Sequence, residues 1–112
     1  MARVAQRTYS KASQEAALLL GQSIKLNRKQ RGMSEKALAE RVGCSRAAIQ
    51  RIERGDLKVE LGLVFEAAYL VGIQLFDLSE ELLSSQIERV SDKLALLPKK
   101  IRKPRGEVSD DF

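Results

Sequence analysis

Ser34-Glu-Lys-Ala-Leu-Ala-Glu-Arg-Val-Gly-Cys-Ser-Arg-Ala-Ala-Ile-Gln-Arg-Ile-Glu-Arg-Gly55 spells two short helices around a three-residue turn, Gly43-Cys44-Ser45. Ser34 has the chemistry of an N-cap for the first helix, which carries Ala37, Leu38 and Arg41. Gly43 stops that helix by offering a left-handed backbone, and Ser45 caps the second one at once. Ile49 and Ile52, three apart, form the inward pair of the second helix, and Gly55-Asp56 ends it with a turn signal. Helices this short are marginal alone and need a bundle to hold them. That leaves an outer face on the second helix where Arg46 and Gln50, then Ala47 and Arg51, repeat the spacing i, i+4.

The flanks supply the bundle. Upstream, Ser13 is a candidate cap for a helix whose stripe is Ala17, Leu20, Ile24 and Arg28, closed by Gly32. Downstream, a fourth helix over about residues 60–71 turns Leu61, Val64, Phe65, Ala68 and Val71 to the core, and Gly72 closes it. A shorter fifth piece packs through Leu75 and Leu78. From Ser79 a longer helix places Leu83, Ile87, Val90, Leu94 and Leu97 at steps of 4, 3, 4 and 3, a heptad seam that Pro98 ends. The pattern is all-α, with strand alternation nowhere convincing. It divides into a flexible basic N-terminal arm over 1–12, a core domain over 13–78, a C-terminal helix over 79–97 and a disordered charged tail over 98–112.

Composition narrows the function. The chain of 112 residues suits one compact core plus an accessory element. It has no His and a single Cys, so His-based acid–base work, His or Cys metal sites and disulfide frameworks lack their residues. No phosphate-cradling Gly loop is present and the carboxylates are dispersed, so no catalytic residue, metal or cofactor is expected. The longest apolar stretch, Leu61 to Leu78, carries Glu66 and Asp77 and reads as core instead of a membrane span. The short Ala16 to Leu20 run is no signal peptide, which points with the lone thiol to a reducing cytoplasm. The net charge is +5, but residues 24–58 hold ten bases against four acids while residues 59–97 hold two bases against seven acids. The cationic face is therefore central, and the acidic segment is the place for packing and protein partners.

A small, polar, cationic helix face is what a reader of the major groove requires. That groove is about 12 Å wide, admits one helix, and pairs Arg with guanine and Gln with adenine. Here that face carries Arg46, Ala47, Gln50 and Arg51. The same residues carry a resemblance: Ser34 to Gly55 resembles the helix-turn-helix of the Cro/CI, or XRE, repressors, most specifically in Ala37-Leu38-Ala39, Val42-Gly43, Ile49 and Ile52-Glu53-Arg54-Gly55. It covers about residues 17–78. It implies a five-helix lambda-repressor-like DNA-binding bundle, here with an extra C-terminal helix and a flexible tail.

The resemblance also implies roles, with Arg46, Ala47, Gln50 and Arg51 in the places of base-reading residues. Ser45 is a phosphate-contacting cap, with Arg54, Lys58 and Lys36 near the DNA backbone, and Arg28 pairs with Glu53 for stability. The competing role for Arg28 is a phosphate contact. At residue 35 many relatives have a Gln that touches phosphate; the carboxylate of Glu35 would be repelled there, which leaves it as a helix-start charge complementing the macrodipole. Cys44 takes the place of a small apolar turn residue and reads as core instead of a redox sensor. Phe65 reads as packing and Tyr69 as a half-exposed flank, in preference to a stacking platform for single strands.

One short helix contacts too few bases to pick one genomic site, so such readers pair as homodimers on double-stranded operator DNA. The seam of Leu83, Ile87, Val90, Leu94 and Leu97 is the candidate dimer or partner surface. The fourth and fifth helices compete for that role, and the seam folding back on its own domain is the remaining option. Leu61 to Phe76, followed by a helix and a basic tail, resembles XRE antitoxins encoded beside HipA-type kinase toxins. That implies a bacterial, nucleoid-associated repressor of its own operon which also binds a HipA-like kinase. The alternative is a stand-alone repressor of the phage or restriction–modification kind.

Overall fold

A computed structural model describes residues 8–100, and its regular structure is helical throughout those residues. Residues 1–7 of the expected arm and 101–112 of the expected tail lie outside the described residues. The chain divides into two units, residues 1–77 and 78–112.

The first unit holds α1 (Lys11–Gln30), α2 (Glu35–Val42), α3 (Arg46–Glu53), α4 (Leu61–Leu70) and a single 3-10 turn, Leu75–Asp77. Helix α1 starts ahead of the expected Ser13. Ser10 is its cap, its hydroxyl accepting the Ser13 backbone N–H at 3.1 Å, so Lys11 and Ala12 belong to the helix and not to an arm. Both serines have capping chemistry, and spacing alone does not choose between them. Ser34 and Ser45 cap α2 and α3 as expected, each accepting a backbone N–H from three residues on at 3.0 Å. At Gly43 the backbone turns left-handed, with φ 86°, and the N–H groups of Gly43 and Cys44 both reach the Ala39 carbonyl, at 2.8 and 3.0 Å. Two donors on one acceptor close α2 and redirect the chain into α3 within three residues.

Ile24, Leu38, Ala39, Ile49, Ile52, Ala67, Ala68 and Val71 form the buried core, drawn from all four helices. Each large aliphatic side chain buried in this way contributes roughly 1.5 to 3 kcal/mol. Leu61 departs from expectation: it opens α4 and is exposed, while Ala67 takes a buried place beside Ala68 and Val71. Small residues there let α4 lie close over α2. Helix α1 approaches the backbone of α3 closely at Gly21. A Cβ at Gly21 would overlap the Ile52 carbonyl oxygen and stand 2.9 Å from that of Glu53. The obstacle is backbone, which cannot rotate away, so any side chain at Gly21 must force the two helices apart.

The expected fifth helix is only the 3-10 turn. Leu75 packs against the core, whereas Phe76 and Asp77 adopt φ of 61° and 57°, a left-handed backbone uncommon for side chains of this size.

In the second unit, Ser79 caps α5 (Glu80–Ala95), and Glu80, Glu81 and Lys93 complement its dipole. The helix stops two residues before Leu97, with Leu96 as its C-cap. Along the seam Leu83 is half-buried, while Ile87, Val90, Leu94 and Leu97 are exposed. No described helix is long and apolar enough to cross a membrane.

Candidate nucleic-acid interface

Helix α3 is fixed from behind. Ile49 is wholly buried and Ile52 nearly so, and the last residue, Glu53, is held by Arg28 of α1. The Arg28 Nε donates to Glu53 Oε2 at 2.7 Å and Nη2 donates to Oε1 at 3.0 Å, a two-pronged contact between side chains only 6% and 4% exposed. A third donor, Nη1, reaches the Met33 carbonyl at 2.8 Å. One guanidinium thus ties α1 to the end of α3 and to the turn that starts α2. The hydrogen bond to Glu53 raises the Arg28 pKa above its ordinary value against the opposing effect of burial. This is the pair that the resemblance implies, and Nε, Nη1 and Nη2 of the guanidinium are all taken up by Glu53 and Met33.

With Ile49 and Ile52 inward, the opposite face of α3 presents Arg46 and Ala47, both exposed, and Gln50 and Arg51, both half-buried, with exposed Arg54 just past its end. Three of these are already engaged, two of them by one carboxylate. Glu35, the first residue of α2, accepts from Arg46 Nε at 2.9 Å and from Gln50 Nε2 at 3.0 Å on a single oxygen, Oε1. Those two hydrogen bonds, Gln50 first, hold the Glu35 carboxyl below the usual carboxylate range, so it is ionised at neutral pH. The expectation of Glu35 as a helix-start charge alone is incomplete. The missing signal is spatial: the first residue of α2 lies within side-chain reach of Arg46 and Gln50 on α3, and no spacing within either helix encodes that.

Arg51 is oriented differently. Its Nε donates to Asp56 Oδ2 at 2.8 Å, and Asp56 Oδ1 accepts the Lys58 backbone N–H at 2.8 Å. The contact with Arg51, and next that with Lys58, lowers the Asp56 pKa. The loop after α3 is thereby pinned to the outward face of that helix, and Lys58 on it is exposed. Ser45 and Lys36 are also exposed, at the starts of α3 and α2. The Ser45 oxygen caps α3 while its hydroxyl proton remains a donor suited to a phosphate. Cys44 is half-buried and packs against the core, and burial pushes its thiol pKa up, which disfavours the reactive thiolate. Among the described residues no group of three or more Cys, Asp or Glu side chains is placed to hold a metal ion.

The interface is therefore a rigidly backed helix with Arg, Ala, Gln and Arg outward and basic or hydroxyl groups on both sides. Residues 24–68 match the helix-turn-helix family. The matched span runs from buried Ile24 of α1 to buried Ala68 of α4, enclosing α2, the turn and α3. No curated protein matches the chain. For residues 24–68 the family match supports a DNA-binding, transcription-regulating helix-turn-helix of the Cro/CI, or XRE, type.

Proposed function

We propose that the protein is a sequence-specific repressor that binds double-stranded operator DNA as a homodimer, with α3 in the major groove. The observation that carries this is the outward face of α3, where Arg46 and Gln50 stand over a helix whose other face is locked by Ile49, Ile52 and the Arg28–Glu53 pair. Arg46, Ala47, Gln50 and Arg51 read base edges; Ser45, Arg54, Lys58 and Lys36 contact phosphates. The exposed seam of α5 supports pairing with a second copy, since a helix with Ile87, Val90 and Leu94 in water is incomplete by itself. Arg46→Ala is expected to weaken binding to the preferred duplex by about 1 to 3 kcal/mol and to relax preference at one base pair. Enrichment from a randomised duplex pool reads this out, and an unchanged sequence profile would remove Arg46 from the readers.

The finer role we propose is that of an antitoxin: the repressor also neutralises a HipA-like kinase and represses its own operon in complex with it. The likeness of Leu61 to Phe76 to such antitoxins supports it. Co-expression with the kinase encoded beside it should give one co-eluting complex and abolish growth inhibition by the kinase. Separate elution with toxicity intact would leave the stand-alone repressor.

A further inference from the structure

The contact between Glu35, Arg46 and Gln50 goes beyond helix capping. A carboxylate on a surface that meets phosphates is a liability for affinity, yet Glu35 lies at the centre of this one. It lines two hollows, one bordered by Lys25, Gln50, Arg54 and the Arg28-paired Glu53, the other by Arg28, Lys29, Lys36 and Arg46, and Glu35 is the acid common to both. A phosphate settling in either hollow meets cations and also meets Glu35.

The donor geometry shows what the carboxylate supplies in return. Arg46 gives Glu35 only its Nε–H. The Nη1 and Nη2 groups are left as the paired donors that guanine O6 and N7 accept. Gln50 gives Glu35 one amide hydrogen, which leaves the other hydrogen and Oε1 for the N7 and N6 edge of adenine. Because a carboxylate only accepts, it also fixes which way the Gln50 amide faces. Two flexible side chains are thus oriented before any DNA arrives, and less conformational freedom remains to be lost on binding.

We propose that Glu35 sets the selectivity of this interface, as a positioning residue that presents Arg46 and Gln50 as one unit and as a fixed negative charge that disfavours attachment through phosphates alone. The proposal rests on the groove-reading function above.

The test uses the full chain, a random-sequence duplex of about two helical turns, and a randomised duplex pool for the sequence profile. Glu35→Gln removes the charge but keeps an oxygen acceptor; Glu35→Ala removes both. Both variants should bind the random-sequence duplex about fivefold more tightly near physiological salt, the effect of roughly one unit of salt slope. Glu35→Ala alone should also blur the profile at the base pairs read by Arg46 and Gln50. A folding defect would lower affinity for every duplex and would show in thermal unfolding, so a rise cannot come from it. Unaltered random-duplex affinity and profile in both variants, with the wild type binding DNA, would overturn the proposal and leave the groove-reading function standing. Failure of the wild type to bind any duplex would overturn both.

Discussion

Glu53→Ala is expected to lower stability by about 3 to 5 kcal/mol, a loss large enough to consume much of the margin by which a small domain stays folded. The reason is the residue left behind. Arg28 is 5% exposed and cannot shed its proton at any ordinary pH, so without Glu53 a buried charge keeps only the Met33 carbonyl as partner. A urea titration should show a lower midpoint with an unchanged slope, and the melting temperature should fall by well over ~10 °C for a unit of this size. The double variant Arg28→Met with Glu53→Leu should recover most or all of the loss, because matched apolar groups carry no desolvation penalty. A deficit under ~1 kcal/mol for Glu53→Ala would show that the pair behaves as a hydrated surface contact.

The second large effect is expected at Ile49. Truncation to Ala empties a wholly buried position on the inner face of α3 and should cost about 2 to 5 kcal/mol, against roughly 0.5 to 1.5 for Ile49→Val. Its signature in DNA binding differs from that of Arg46→Ala. Ile49 touches no base, so the sequence profile of the folded fraction should stay the same while apparent affinity drops with temperature as folded protein is lost. Saturating duplex should restore much of the melting temperature by mass action. An altered base preference would mean that α3 itself had moved in its seat.

Much of the interface is legible in the order of residues alone. Ser34, Gly43 and Ser45 are punctuation marks with local chemistry, and they fall where the helices start and stop. Ile49 and Ile52 define an inside, which leaves Arg46 and Gln50 outside by geometry alone. Other features depend on tertiary placement. Ser10 and Ser13 offer the same capping chemistry, and the difference between them is which one the chain reaches before α1 begins. Leu61 fits the apolar pattern of α4 but stands at its first position and remains exposed. The partnership of Arg28 with Glu53 follows from family likeness and not from spacing, since the residues lie 25 positions apart. That of Glu35 with Arg46 and Gln50 has no precursor in the pattern, because it joins the start of α2 to two successive turns of α3.

The bare backbone meeting at Gly21 has a consequence for redesign. The seat of α3 is set by main-chain atoms and buried aliphatics, apart from the outward residues proposed to read bases, so frame and lettering are separable. Exchanging the outward residues at 46, 47, 50 and 51, together with the acid at 35 that aligns two of them, should retarget the molecule to another operator while its fold stays as it is.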